Sequence, residues 1–156
     1  MKILIKSRSE IEAMAQTSFS PSTALISISD VGLDFAKLSN KPKFLLQIDF
    51  DDVDNDIVVD ELGRKATEEE RQTIEAKYHM ITNEQAMEIG SFYHANKDSI
   101  STLICQCEHG QSRSAAVAAA ILEFRNRRGI SVFAHDNYYP NKVVFRRVLE
   151  ALKRGS

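Results

Sequence analysis

The sequence lacks the features that mark membrane, secreted and nucleic-acid-wrapping proteins. No apolar run in the 156 residues reaches the roughly 20 that a transmembrane helix needs. The start, MKILIKSRSE, has too short an apolar core for a secretory signal. A formal net charge of −2 argues against binding nucleic acid by overall charge. We therefore expect a cytoplasmic protein with no membrane or nucleic-acid partner, and a monomer by default.

Cysteine is scarce as well. The two cysteines, Cys105 and Cys107, are separated by one residue, and on a strand their Cα atoms would lie about 6.5–7 Å apart, at the limit of disulfide reach. A structural disulfide is therefore not expected, which fits a reducing compartment. Oxidation could still join the pair in a transient protective disulfide.

Metal-ligand spacing is also missing. None of the four histidines is spaced with a carboxylate or cysteine cluster in a pattern typical of metal sites, so we expect neither a metal nor another cofactor.

The chain shows no internal repeat, low-complexity tract or Pro/Gly-rich linker, which predicts one domain over residues 1–156. Apolar runs at residues 24–29, 44–50 and 102–107 predict strands, and a weaker one lies at Lys2–Lys6.

Helical patterns separate these strands. Ser9 and Glu12 resemble a capping box that opens a first helix, and Thr82 and Gln85 a box that opens another. An alanine-rich helix is expected over residues 113–128, before Gly129. Pro140 is expected to begin the last helix, which continues through Leu152. Strands that alternate with helices predict an α/β fold with a mostly parallel sheet covered on both faces.

The acidic segment 51–65 shows neither the hydrophobic periodicity of a helix nor that of a strand, and it follows a predicted strand directly. A loop this long in a compact domain is usually functional or disordered. An exposed acidic excursion and a functional loop both remain open.

The most informative stretch is CEHGQSRS, residues 107–114, between a predicted strand and a predicted helix. A turn in that position can direct its backbone N–H groups around phosphate oxygens, and the helix N-terminus adds positive potential. Gly110 permits a backbone conformation that other residues resist, and the forked guanidinium of Arg113 can bind two oxygens at once. The expected phosphate-binding residues are Glu108, His109, Gly110, Gln111, Ser112 and Arg113.

Cys107 stands at the mouth of the same turn. The amides, the helix dipole and Arg113 all favour an anion, so the sulfur is expected to act as a thiolate that attacks phosphorus and forms a cysteinyl-phosphate. The hydroxyl of Ser114 could hydrogen-bond the sulfur and ease its departure.

The pattern C-x-x-G-x-x-R-S resembles the active-site loop of the protein tyrosine and dual-specificity phosphatase superfamily. The helix SAAVAAAIL and the later Pro140-Asn141 helix start resemble the compact dual-specificity type, and the strand ALISISD resembles the small bacterial and phage-like members. The resemblance extends over about residues 24–149. It implies a twisted parallel sheet of four or five strands flanked by helices, no metal, and hydrolysis of phosphate monoesters, most of all protein phosphotyrosine. Small phosphomonoesters are the other expected substrates.

The resemblance also implies a general acid on a loop after an earlier strand. The F-x-D arrangement of some members matches Phe50-Asp51-Asp52, which makes Asp52 the first choice and Asp51 the alternate. Asn141 either braces the phosphate loop, as in similar phosphatases, or simply begins a helix.

One residue departs from the family pattern. The position before the nucleophile usually holds histidine, and here it holds Gln106, which can support the loop by hydrogen bonds but carries no positive charge. A less stabilised thiolate and slow turnover are therefore expected, and a phosphate-binding pseudophosphatase remains the alternative to an enzyme. Sulfur transfer or arsenate reduction is disfavoured because further redox cysteines are missing. Because the loop has no lysine and carries Glu108, polyphosphorylated substrates are disfavoured.

Overall fold

Four parallel strands form the central sheet of the computed structural model, which describes residues 1–54 and 56–155, the side chains of Asp56 and Val59 excepted. Asn55 and Ser156, which the predicted domain includes, lie outside the described residues, as does part of the predicted acidic loop. The strand order is β1-β4-β2-β3. The strands are β1 (Lys2–Lys6), β2 (Thr23–Ser29), β3 (Phe44–Asp49) and β4 (Thr102–Gln106).

The sheet confirms the predicted α/β fold, with strand boundaries within a residue of those expected. β2 and β4 occupy the centre, and every residue of β2 is buried, as a parallel strand covered on both faces requires. Because all four strands are parallel, their carboxyl ends lie along one edge of the sheet. The loops that follow the strands therefore meet at that edge.

Seven helices accompany the strands in the described part of the chain: α1 (Arg8–Met14), α2 (Asp56–Leu62), α3 (Glu68–Lys77), α4 (Asn83–Asn96), α5 (Arg113–Asn126), α6 (Ile130–Phe133) and α7 (Lys142–Gly155). The larger part of the core joins one sheet face to α4, α5 and α7, and a smaller cluster around Ile11 of α1 covers the other face. Residues 113–121 of α5 are all buried, and its alanines let neighbouring elements approach closely. No described helix has the length and apolar character needed to cross a bilayer.

The helix starts were predicted with mixed success. The Thr82–Gln85 capping box is present at α4, but the box at α1 is formed by Ser7 and Glu10, so the prediction of Ser9 and Glu12 was wrong. Ser7 directly follows β1, and the chain enters the helix without a spacer.

Two further expectations need correction. α5 ends at Asn126, because its C-cap Arg127 takes a left-handed conformation at φ 59°, ahead of Gly129. The segment 51–65 is not a continuous loop, because α2 occupies Asp56–Leu62. Val58 is 1% exposed and Ile57 packs against the main core, so α2 places apolar side chains against the fold despite the acidic composition that concealed the helix.

Candidate active site

The CEHGQSRS loop lies at the carboxyl edge of the sheet, between β4 and α5, and packs closely against the end of β1. Gly110 has φ +68°, and a Cβ atom there would lie 2.7 Å from Ser7 N and 2.8 Å from the Lys6 carbonyl carbon. The backbone is also joined by hydrogen bonds from Arg8 N to Glu108 O (3.1 Å) and from Cys107 N to Lys6 O (3.3 Å). A side chain at position 110 would therefore force the loop away from β1.

Cys107 is 3% exposed and contacts the residue expected to assist it. Its Sγ lies 3.0 Å from the Oγ of Ser114, which is fully buried in the first turn of α5. A hydroxyl in this position can donate to a thiolate and stabilise the charge on sulfur.

Arg113, the first residue of α5, is 4% exposed, and one nitrogen of its guanidinium, Nη1, makes the contacts that hold the side chain in place. Nη1 donates to the carbonyl of Phe50 at 2.7 Å and pairs with Asp30 Oδ1 at 2.8 Å. Nε is buried and has no acceptor among the described residues. Because a buried N–H without an acceptor costs about 1–3 kcal/mol, this nitrogen is suited to an anion supplied from outside.

The three chemically important side chains share one cavity. It has a volume of about 260 Å³ and is bordered by Cys107, Arg113 and Asp52, together with Ser112, His109, Gln111 and Tyr139. A thiol, a cation and a carboxylate thus border the same space, an arrangement that is compatible with transfer of a phosphoryl group.

Of the two aspartates proposed as general acid, the structure brings Asp52 to this cavity. Its Oδ1 accepts hydrogen bonds from Ser112 Oγ at 2.8 Å and Asn141 Nδ2 at 2.9 Å. Asp51 is turned elsewhere, and its Oδ1 accepts from the backbone N–H of Val31 at 2.9 Å.

Asn141 begins a helix, which is one of the two roles its sequence context left open, and its side chain contacts the aspartate loop where bracing of the phosphate loop was the other expectation. Its Oδ1 accepts from the backbone N–H groups of Val143 and Val144, each at 3.0 Å, and so caps α7. Its Nδ2 donates to Asp52 and to Val53 O at 2.9 Å, so the same side chain holds the aspartate loop in place.

Gln106, the last residue of β4, supports the loop through its buried side chain. The side chain is fully buried, its Oε1 accepts from Ser27 Oγ at 2.5 Å, and its Nε2 donates to Cys107 O at 3.0 Å. Both polar ends of the side chain are thus hydrogen-bonded, and the Cys107 carbonyl is held in position without a positive charge.

Glu108 does not act as a free negative charge. Its Oε2 forms an ion pair with Arg8 Nε at 2.7 Å, and Arg8 Nη2 donates in turn to Asp34 O at 2.7 Å. This pairing weakens the argument that Glu108 repels polyphosphorylated substrates. The loop side chains of His109 and Gln111 are exposed at the cavity rim.

Cys105 lies fully buried in β4. Burial raises the pKa of its thiol well above the usual range, and negative charge on Cys107 raises it further. The thiol therefore stays protonated, which makes Cys105 a poor partner for the transient disulfide considered from the sequence.

The residues that support the site from other strands were missed by sequence reasoning. Asp30 follows β2, Phe50 follows β3, and Arg8 follows β1, so each stands just beyond the carboxyl end of a strand. For Asp30, a polar residue directly after a predicted strand was the available signal. The described residues contain no group of three or more His, Cys, Asp or Glu side chains able to hold a metal ion.

Comparison with known proteins supports the fold. No protein-family model matches the chain, and no curated protein matches it. The crystal structure of PTPMT1 superimposes with a TM-score of 0.52 at 14% sequence identity, over 98% of this chain and 90% of that chain. At this identity the likeness concerns the fold, and the chain has the phosphatase-like α/β fold that the tyrosine and dual-specificity phosphatase resemblance implies.

Proposed function

We propose that the protein hydrolyses phosphate monoesters through a cysteinyl-phosphate intermediate, with protein phosphotyrosine as its main substrate. The observation that carries the proposal is the shared cavity of Cys107, Arg113 and Asp52, with the Cys107 sulfur held against Ser114 Oγ at 3.0 Å.

Arg113 would provide the main contact with the substrate dianion. Because Phe50 O and Asp30 occupy Nη1, the guanidinium is oriented before substrate arrives, and its unpartnered Nε remains for a phosphate oxygen. A charge-assisted hydrogen bond in a site that excludes water is stronger than one in solvent. The backbone N–H groups of the loop would bind the other oxygens.

In the first step the Cys107 thiolate attacks phosphorus, the S–P bond forms and the ester P–O bond breaks. Asp52 gives its proton to the departing oxygen, so that an alcohol or phenol leaves. In the second step a water molecule attacks phosphorus and gives a proton back to Asp52. The S–P bond breaks with its electron pair on sulfur, the Ser114 hydroxyl stabilises the returning thiolate, and inorganic phosphate leaves.

A phosphate-binding module without turnover is the second candidate. The observation that favours it is Gln106, which holds the loop through neutral hydrogen bonds and supplies no positive charge to stabilise the thiolate. Such a module would keep the same anion site and lose only the chemistry.

Replacement of the nucleophile separates these candidates. Cys107→Ser is expected to lower hydrolysis of an aryl phosphate by roughly 10⁴- to 10⁶-fold, because a serine hydroxyl without a base is a weak nucleophile. The matched control is Cys105→Ala, which removes a buried thiol of β4 two residues before Cys107. This variant should keep its activity and lose about 1 kcal/mol of stability. Steady-state rates measure the activity of wild type, Cys107→Ser and Cys105→Ala, and thermal unfolding measures their stability.

Hydrolysis that persists in Cys107→Ser would refute the cysteine mechanism. A wild type that binds inorganic phosphate but hydrolyses no monoester would favour the binding module.

A further inference from the structure

Tyr139 is an aromatic residue whose exposure the fold does not explain. It is 72% exposed, while its neighbour Tyr138 packs into the hydrophobic cluster of Ala115, Ala119 and Val132. Tyr139 borders the cavity of Cys107 and Arg113 and also a second cavity of about 360 Å³ on the side of Asn141 and Lys142. An aromatic ring placed at the mouth of a phosphate site and absent from the core is available for contact with a ligand.

The backbone around Tyr139 is fixed to the phosphate-binding loop. Tyr139 N donates to Gln111 O at 2.8 Å, and Asn141 N donates to Ser112 O at 3.3 Å. Pro140, between them, is buried and restricts the chain on both sides. The ring is therefore attached to a rigid segment that keeps a constant position relative to the loop.

We propose that Tyr139 is a specificity-determining residue, against which the aromatic ring of an aryl phosphate packs when its phosphate occupies the loop. The proposal rests on the proposed function and adds the residue that selects phosphotyrosine over phosphoserine. In phosphotyrosine the ring is joined directly to the phosphate oxygen. When the phosphate occupies the loop, the substrate ring therefore lies close to the loop, within reach of a side chain whose backbone is bonded to that loop. Phosphoserine offers no ring, and in a nucleoside monophosphate a ribose separates the base from the phosphate.

The test compares two peptides of identical sequence, one with phosphotyrosine and one with phosphoserine. Tyr139→Ala is expected to lower kcat/KM for the phosphotyrosine peptide by about tenfold, mainly through KM, because an aromatic contact and its buried area are lost. The phosphoserine peptide should change by less than about twofold. Tyr139→Phe should restore the phosphotyrosine value, since the ring and not the hydroxyl makes the contact.

Ile130→Ala is the matched control, because Ile130 is a large side chain, 71% exposed, that does not border either cavity. It should leave both peptides unaffected. Equal losses for both peptides in Tyr139→Ala, or failure of Tyr139→Phe to restore activity, would overturn the proposal. A larger loss for a nucleoside monophosphate than for the phosphotyrosine peptide would overturn it in favour of a nucleotide.

Binding measurements keep this test separate from that of the proposed function. If wild type hydrolyses nothing, the enzymatic proposal fails, and the two peptides are then titrated against Cys107→Ser with and without Tyr139→Ala. A preference for the phosphotyrosine peptide that Tyr139→Ala removes would support Tyr139 as the selective residue. If Cys107→Ser with Tyr139 intact bound the two peptides with equal affinity, the selective role of Tyr139 would be overturned as well.

Discussion

Arg113→Lys is expected to lower kcat/KM for aryl phosphates by about 10³-fold. A lysine ammonium is a compact donor that cannot bind two phosphate oxygens in one plane, and loss of a single oriented donor to a developing charge already costs about 10²- to 10³-fold. The change would also remove Nη1, the nitrogen that contacts both Phe50 O and Asp30. Steady-state kinetics and titration with inorganic phosphate should both show the loss.

Arg147→Lys is the matched control, since Arg147 is also largely buried and also joins a carbonyl, that of Ile81, to a carboxylate, that of Glu75. Arg147 borders a different cavity, beside Glu75 and Ile81. The Arg147→Lys variant should therefore have lower thermal stability and an unchanged kcat/KM. If Arg113→Lys stayed within a few-fold of wild type, or if both lysine variants lost activity equally, the role given to Arg113 would be wrong.

Asp52→Asn is expected to lower turnover of alkyl phosphates by about 10²- to 10⁴-fold, the usual contribution of a general acid. Asparagine retains an oxygen that can accept from Ser112 and Asn141, so the loop should keep its position. The loss should be much smaller in the first step with an electron-poor aryl phosphate, because that leaving group departs without a proton. Pre-steady-state release of the phenol measures this step.

Asp51→Asn tests the alternate assignment in the neighbouring residue. The Asp51 carboxylate accepts from Val31 N, and an asparagine oxygen can keep that bond, so little change in turnover is expected. If Asp51→Asn instead showed the leaving-group-dependent loss and Asp52→Asn did not, the assignment would have to be exchanged.

Short-range features of the site were accessible from the sequence. The strand before Cys107, the glycine at 110 and the helix after Ser112 lie within a few residues of one another, and each has a local physical signature. The same holds for the Thr82–Gln85 box, whose two members face each other within a single turn.

The contacts that hold the site in place were not accessible in this way. Asp30, Ser27 and Arg8 reach Arg113, Gln106 and Glu108 only because three strands end at one edge of the sheet. These three residues are of common types, and their partners are distant in sequence. Composition and periodicity therefore cannot predict which residues pair. α2 was concealed for a related reason: Ile57 and Val58 pack against parts of the fold that are distant in sequence, while the acidic residues around them suggest a loop.

The central claim is that the Cys107 sulfur takes a phosphoryl group from the substrate, and rapid quenching of Ser114→Ala with an aryl phosphate tests it most directly. Without the hydroxyl 3.0 Å from the sulfur, departure of the thiolate should be slowed and the intermediate should accumulate. The account predicts that mass spectrometry of the quenched protein finds one added phosphoryl group, and that fragmentation of the peptide assigns it to the Cys107 sulfur. Release of the phenol with no phosphoryl group on the protein, or with that group on His109 at the cavity rim, would contradict it.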